Sequence, residues 1–193
     1  MEIHTPLKDE VVSTLELGDQ VYFSGKIYIM RDATLRRIFE EGVSPPVDLR
    51  NQVIFFGAPS FAKEMDRYVI LSVGVTTSQR MEKYIPSLLS KYGVKGIIGK
   101  GELGEKMNSH FQRNNAAYFL FVGGAAAIAT SSIERVLNVW WEDLRGEALF
   151  EVEVKDLGPA FVAIDNDGEN LPLNVKNKVL ANLRALQGDQ SES

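Results

Sequence analysis

Residues 68–98 read YVILSVGVTTSQRMEKYIPSLLSKYGVKGII, and the fold class is predicted from the pattern of these residues. Tyr68 to Val73 is a run of mostly apolar and β-branched residues, which is typical of a strand. From Ser78 to Tyr92 the apolar residues recur at helical spacing, and Gly93 is a suitable residue to end that helix. Val94 to Ile98 returns to the pattern of a buried strand. A strand, a helix and a second strand in this order indicate a layered α/β domain.

The segments on either side extend this pattern. Further strands are predicted at Val21–Met30, Val53–Phe56 (separated from Tyr68–Val73 by Gly57-Ala58-Pro59), Ala116–Val122, Ala148–Val154 and Ala160–Asp165, and further helices at Asp32–Gly42, Leu103–Arg113 and Val175–Leu186. Strands alternate with helices in the middle of the chain, whereas strand-rich segments lie toward its two ends. We therefore expect a mixed sheet of parallel and antiparallel strands in a single domain over residues 1–193, ending in a frayed polar tail at 188–193.

Composition narrows the possible functions. The chain has 193 residues, 45% of them hydrophobic, with a formal charge of −5 and no cysteine. A net acidic chain is a poor candidate for nucleic-acid binding, and the cysteine count excludes disulfides and any metal or iron–sulfur site built on this chain's thiolates. His4 and His110 are far apart and belong to no ligand pattern, so no metal site is expected in this chain. No apolar run is long enough to span a membrane and Met1 to Gln20 is not a signal sequence, so we expect a soluble, cytoplasmic protein.

Two of three strand-to-loop junctions place an arginine beside a helix start. At Arg31-Asp32 the plain interpretation is that Asp32 caps the helix, and the functional one is that Arg31 clamps a carboxylate. The second junction runs from Gly74 to Arg80 and includes Thr76, Thr77 and Ser78. Hydroxyl groups and free backbone N–H groups at a helix start favour an anion, although a Ser/Thr cap beside a surface arginine explains the same pattern.

The third junction is Gly99-Lys100-Gly101, where two glycines would let a ligand approach the lysine closely. A glycine-rich surface turn is the alternative, and neither the P-loop nor the dinucleotide-binding spacing is present. In α/β sheets with crossover helices, strand ends gather on one edge, where ligands bind. Arg31, Arg80 and Lys100 would then form a cationic pocket suited to a small dianion.

These same motifs resemble the C-terminal domain of class I iron–sulfur fumarases, which in many organisms is a separate β subunit, and the related L-tartrate dehydratase β subunit. The resemblance covers roughly Leu7 to Asp167. The segments that carry it are Arg31-Asp32-Ala33, Gly74-Val75-Thr76-Thr77-Ser78 with Arg80-Met81, Ile98-Gly99-Lys100-Gly101, Gly123-Gly124-Ala125-Ala126-Ala127, Trp141-Glu142-Asp143-Leu144 and Phe150-Glu151-Val152-Glu153-Val154-Lys155-Asp156.

The resemblance implies a swivelling β/β/α three-layer domain and a hydro-lyase activity, the reversible hydration of fumarate to (S)-malate. It implies that Arg31, Arg80 and Lys100 bind the substrate carboxylates and that Thr76 is the catalytic base. Thr77 and Ser78 are further binding candidates because their hydroxyls are adjacent. It also implies a partner α subunit that carries a [4Fe-4S] cluster, in an αβ or α2β2 complex, without which this chain is inactive.

Three alternatives stay open at this point. The substrate could be L-tartrate rather than fumarate, because Met30, Leu35, Val75 and Glu102 replace residues that are usual in the family and pocket shape depends on small side chains. From a different class, the chain could be a stand-alone dicarboxylate-binding module or a structural interaction subunit.

Overall fold

The computed structural model describes residues 1–65 and 67–188 as one mixed α/β arrangement. The strands are β1 Glu2–Thr5, β2 Gln20–Met30, β3 Val53–Glu64, β4 Arg67–Val75, β5 Gly96–Gly99, β6 Ala117–Phe121, β7 Ile133–Trp140 and β8 Leu149–Ile164. The α-helices are α1 Asp9–Val12, α2 Asp32–Phe39, α3 Ile85–Ser90, α4 Asn108–Arg113, α5 Ala126–Ser131 and α6 Leu171–Gly188. Short 3-10 helices cover Ser78–Tyr84, Glu105–Met107 and Glu142–Glu147.

The strands form an eight-stranded sheet in the order β1-β2-β3-β5-β6-β8-β7, with β4 paired to β3 and an additional pairing of β2 with β8. The neighbours from β1 to β6 along this order are parallel, whereas β4, β7 and β8 pair antiparallel. The predicted α/β class with a mixed sheet is therefore confirmed.

Parallel pairing brings the carboxyl ends of β2, β5 and β6 to one edge of the sheet, at the level of Phe56 inside β3. Met30 at the end of β2 lies beside Phe56 of β3, and Gly99 at the end of β5 lies beside Leu120 of β6. In sheets of this kind the edge at the strand carboxyl ends is the usual place for a ligand.

Both faces of the sheet carry a buried hydrophobic cluster, since the alternating residues of a strand, which point to opposite faces, belong to different clusters. Ile27 and Ile29 of β2 belong to one hydrophobic cluster, whereas Tyr28 and Met30 belong to the other. The second cluster includes apolar residues of α2, α3 and α4, so these helices cover that face and hold the carboxyl edge in place.

Strands β3 and β4 form a hairpin that is longer than predicted. Gly57-Ala58-Pro59 was expected to separate two short strands, and that expectation is wrong, since β3 continues through Pro59. Pro59 faces Val73, whose N–H donates to Thr130 Oγ1 at 2.9 Å rather than toward β3. The pairing therefore needs no N–H from residue 59, and proline is tolerated there.

The two strands predicted at Ala148–Val154 and Ala160–Asp165 are one strand, β8. Asp156 in its middle has φ of +52°, and the two halves have different outer neighbours, β7 before this point and β6 after it. The residues around Asp156 were expected to form a loop, but they form a bend inside a continuous strand, and a bend uses residues that are also common in loops.

Other differences are local. Strands β1 and β7 and helices α1 and α5 were not predicted, and the helix expected from Ser78 begins as a 3-10 helix. Helix α6 extends to Gly188, and the rest of the predicted tail, 189–193, lies outside the described residues. Among the helices of residues 1–65 and 67–188, none is long and apolar enough to cross a membrane.

Candidate active site

Arg31 lies where β2 ends and α2 begins. Its side chain is 22% exposed, and its Nε donates a hydrogen bond to Asp32 Oδ2 at 3.0 Å. The same Nε lies 3.5 Å from Glu147 Oε1. The guanidinium is therefore held at the carboxyl edge of the sheet by two carboxylates.

Asp32 connects the first predicted junction to the second. Besides Arg31, its Oδ2 accepts a hydrogen bond from Arg80 Nη2 at 2.7 Å. One carboxylate oxygen thus binds both arginines, and two side chains predicted to bind a dianion lie within two hydrogen-bond lengths of each other. Sequence reasoning identified both arginines but not the group that joins them.

The predicted capping role of Asp32 is wrong. Asp32 is the first residue of α2 and its side chain makes no capping hydrogen bond. Instead Glu147 Oε2 accepts the Ala33 N–H at 2.7 Å, and the buried Thr34 hydroxyl donates to the Glu147 carbonyl oxygen. A carboxylate from a distant segment satisfies the helix start and leaves Asp32 available for the arginines.

The second and third junctions are joined through the backbone. Thr77 forms an isolated parallel bridge with Lys100, and the Ser78 N–H donates to the Lys100 carbonyl oxygen at 2.9 Å. The Thr76 N–H donates to the Phe56 carbonyl oxygen at 2.7 Å, so the segment after β4 passes β3 at Phe56 and continues to the end of β5. The structure therefore brings Thr76, Thr77, Ser78 and Lys100 to one edge.

Ser78 differs from its neighbours because it is fully buried. Its Oγ lies 3.0 Å from the Tyr118 hydroxyl, which is also 2.8 Å from the Gly101 carbonyl oxygen. A carbonyl can only accept, so Tyr118 donates to Gly101 and Ser78 donates to Tyr118. Burial raises the pKa of Tyr118 well above its usual range, which keeps the hydroxyl protonated as this donor. These hydrogen bonds hold the Lys100 turn in place from the buried side. Because Ser78 has no access to solvent, we assign it a supporting position.

Several polar groups at this edge have no partner in the described part of the chain. The hydroxyls of Thr76 and Thr77, the Lys100 ammonium and the terminal Nη groups of Arg31 make no hydrogen bond within residues 1–65 and 67–188. Thr76 and Lys100 are half-buried and Thr77 is exposed. These hydroxyl and cationic groups could donate to a carboxylate.

The described part of the chain offers no metal centre. No group of three or more His, Cys, Asp or Glu side chains within it is arranged to hold a metal ion. The whole sequence contains no cysteine. These residues do not fit an iron–sulfur cluster, which is held by cysteine thiolates.

Residues 1–174 match the family model described as "Fumarase C-terminus". The chain belongs to this family. The predicted resemblance to this family is therefore confirmed, and the matched range spans every site residue described above.

Three relatives show how the family members are organised. The chain is 35% identical over 168 residues to the "L(+)-tartrate dehydratase subunit beta" of Escherichia coli (strain K12), a match that covers 86% of this chain and 84% of that protein. It is 35% identical over 182 residues to the "Putative L(+)-tartrate dehydratase subunit beta" of Methanocaldococcus jannaschii, covering 92% and 93%. It is 31% identical over 186 residues to the "Putative fumarate hydratase class I" of Geobacillus stearothermophilus, covering 94% of this chain but 35% of that longer protein.

Proposed function

We propose that this chain is the β subunit of a two-subunit hydro-lyase that catalyses the reversible hydration of fumarate to (S)-malate. The observation that carries the proposal is the convergence of Arg31, Arg80, Lys100 and Thr76 on one edge of the sheet, in a chain whose relatives are named as hydro-lyase subunits. A dicarboxylate needs two cationic sites at a fixed spacing, and guanidinium groups bind carboxylates with defined geometry.

In this proposal the cationic side chains hold the substrate. Arg31 and Arg80 bind one end of the dicarboxylate through guanidinium nitrogens that Asp32 leaves unoccupied, and Lys100 and Thr77 bind the other. Holding both ends fixes the central carbons relative to Thr76, so that only one face is presented to the proton donor.

Thr76 transfers the proton. In hydration its hydroxyl gives a proton to one alkene carbon while the hydroxyl of water joins the other, and the remaining proton of that water returns to the Thr76 oxygen. In dehydration the Thr76 oxygen accepts the proton from that carbon and its own proton passes to the departing hydroxyl, which leaves as water. An unassisted threonine hydroxyl is too weak an acid for this step, and the neighbouring cations would stabilise its deprotonated form.

The partner supplies what this chain does not contain. Relatives named "subunit beta" support a hetero-oligomer, αβ or α2β2, and we propose that the α subunit holds a [4Fe-4S] cluster. The longer Geobacillus protein is consistent with both parts joined in one chain. We further propose that residues 1–193 form a single swivelling β/β/α domain, inactive without the α subunit, in the cytoplasm.

L-tartrate is the second candidate substrate. Two of the three relatives described above are named as tartrate dehydratase subunits, and their 35% identity exceeds the 31% of the fumarate hydratase relative. The chemistry on this chain would be unchanged, since tartrate is also a dicarboxylate that loses water.

The test is anaerobic co-expression with the α subunit, followed by assays of fumarate, malate and L-tartrate. We expect Arg80→Ala to lower kcat/KM by about 100-fold or more, because a desolvated carboxylate loses its charged partner. Thr76→Val should lower kcat with little change in KM. Arg113→Ala, which alters an exposed arginine on α4, is the matched control and should leave both constants unchanged.

Two other outcomes would contradict the proposal. An assembled complex that turns over none of the three compounds would contradict the hydro-lyase proposal. Tight dicarboxylate binding by the chain without a partner would instead support a binding module.

A further inference from the structure

We propose that Asp32 is a positioning residue that sets the spacing and orientation of Arg31 and Arg80 for a dicarboxylate. The inference rests on the proposed function and extends it to a group that does not itself contact substrate. It starts from one observation, that a single oxygen of Asp32 accepts from Arg31 Nε at 3.0 Å and from Arg80 Nη2 at 2.7 Å.

The two arginines come from different elements. Arg31 directly follows β2, whereas Arg80 lies in the 3-10 helix that follows β4, and 48 positions separate Arg80 from Asp32 in the sequence. Two guanidinium cations that both lie within 3.0 Å of the same oxygen repel each other unless that oxygen carries a negative charge. Asp32 provides that charge and fastens the two elements together at the edge of the site.

The hydrogen bonds to Asp32 leave guanidinium nitrogens of both arginines available to bind a substrate carboxylate. Arg31 uses Nε for both of its carboxylate partners, and Arg80 uses only Nη2. The two terminal nitrogens of Arg31, and Nε and Nη1 of Arg80, donate no hydrogen bond to the described residues. A substrate carboxylate can therefore bind beside Asp32 rather than in its place.

The environment of Asp32 also favours this role. Its helix start is already satisfied by Glu147, so the carboxylate is not needed as a cap. The Asp32 side chain is 37% exposed and Arg80 is 53% exposed, so Arg80 has little packing to hold it. Without the ion pair, the Arg80 side chain would sample several rotamers and lose part of its affinity for the substrate.

Helix α2 offers a matched control. Arg37 on the same helix binds Asp143 through two hydrogen bonds of 2.9 and 2.6 Å, and neither residue belongs to the proposed site. Asp143→Asn removes an arginine–aspartate ion pair of the same kind without touching Arg31 or Arg80. Any general effect of losing such a pair on α2 will appear in both variants.

The first experiment measures kinetics of the reconstituted complex. We expect Asp32→Asn to lower kcat/KM for the dicarboxylate about 10- to 100-fold, mainly through KM, because the arginines bind substrate before the proton moves. Asp32→Glu, which restores the charge, should recover part of this loss, and Asp143→Asn should show none. A kcat/KM for Asp32→Asn within twofold of the Asp143→Asn value would overturn the proposal.

The second experiment needs no activity. In the isolated chain, arginine side-chain NMR should show slow hydrogen exchange at Arg31 Nε, which Asp32→Asn accelerates and Asp143→Asn does not. Unchanged exchange in Asp32→Asn would overturn the positioning role even if the enzyme is active. A complex that is inactive toward every dicarboxylate tested would refute the proposed function and, with it, the positioning of the arginines for a substrate. An active wild type with an unaffected Asp32→Asn refutes only the inference.

Discussion

Gly99 is packed closely against the buried side chains that support the proposed site. A Cβ at this position would lie 1.9 Å from Ser78 Oγ and 3.1 Å from the Tyr118 hydroxyl. Both groups belong to the hydrogen-bonded set that supports the Lys100 turn. The following glycine, Gly101, has φ of +80°, a backbone conformation that other residues rarely adopt. The glycines on either side of Lys100 thus have separate physical causes, close packing against Ser78 and Tyr118 at Gly99 and a positive φ at Gly101.

We expect Gly99→Ala to destabilise the chain by at least about 2 kcal/mol, because the added methyl group overlaps a buried side chain. It should also displace Lys100 and raise KM in the reconstituted complex. Urea unfolding of the isolated chain and steady-state kinetics are the measurements.

A double variant separates this clash from a general intolerance of residue 99. Ser78→Ala removes the atom at 1.9 Å and leaves Ser78 Cβ at 3.2 Å. Ser78→Ala with Gly99→Ala should therefore be more stable than Gly99→Ala alone, although Ser78→Ala by itself loses a hydrogen bond worth about 1 kcal/mol. Equal stability of the double and single variants would show that Ser78 is not the cause.

The individual residues of the proposed site were predictable where a short sequence motif indicates them. Arg31, Arg80 and Lys100 stand at junctions where a strand gives way to a glycine, a hydroxyl or a helix start, and each junction can be recognised within a few residues. The bridge from Asp32 to Arg80 and the cap from Glu147 to Ala33 span 48 and 114 positions, so only the folded chain reveals them.

Helix α2 depends on the short 3-10 helix at Glu142–Glu147, and this dependence gives a prediction for the element. Glu147→Ala should lower the free energy of unfolding by about 1–2 kcal/mol, because the Ala33 N–H loses its acceptor and the positive end of the helix loses an anion. Glu147→Gln should cost less, since its amide oxygen can still accept. Chemical denaturation is the measurement, and Glu134→Ala, an exposed acid on β7, is the control expected to change little.

Helices and strands were predicted best where the hydrophobic periodicity and the residues that typically end an element indicate the same bounds. Strand β2 and helix α2 were found almost at their bounds because an apolar run leads directly into a helical pattern. Strand β8 was divided in two because Gly158 and Pro159 resemble a loop, and β3 was cut short at Pro59. In both cases pairing with neighbouring strands overrides the local signal, and pairing is not visible in the sequence of one strand.

At the scale of the whole molecule, acidic side chains hold neighbouring elements together through ion pairs. Glu151 on β8 is 6% exposed and accepts a hydrogen bond from Tyr28 Oη at 2.9 Å on β2, while Lys26 Nζ lies 3.0 Å away. Asn138 on β7 donates to its other oxygen. One carboxylate thereby connects three strands, and its charge state affects the stability of the sheet.

The pKa of Glu151 reflects two opposing causes. Burial alone would raise it, but hydrogen bonds from Asn138, Lys26 and Tyr28 outweigh burial and hold the pKa below its usual value of 4.5. Ion pairs also lower the pKa of Asp9, Glu40 and Asp143, which are exposed and contribute less. Burial raises the pKa of Asp165, which acts in the opposite direction.

The sign of the pH dependence follows from these shifts. A carboxyl group whose pKa is lower in the folded chain stabilises it above pH 4.5, and this contribution is lost as the pH falls through the folded-state pKa. Asp165 partly offsets the loss, because its raised pKa favours the folded chain at low pH. Among the described carboxyl groups, four have a lowered pKa and one a raised pKa, so we expect the free energy of unfolding to fall as the pH drops below about 4.5.

Glu151→Gln tests this expectation on the whole chain. At pH 7 it should lower the free energy of unfolding by about 1–3 kcal/mol, because Lys26 and Tyr28 lose a charged acceptor. Below pH 4.5 the difference from the wild type should shrink, since the wild-type carboxyl becomes protonated and neutral like the amide. Urea unfolding at intervals from pH 7 to pH 3 measures both curves, with Glu134→Gln as an exposed control. A difference that stays constant over this range would show that the Glu151 charge does not contribute to the stability of the sheet.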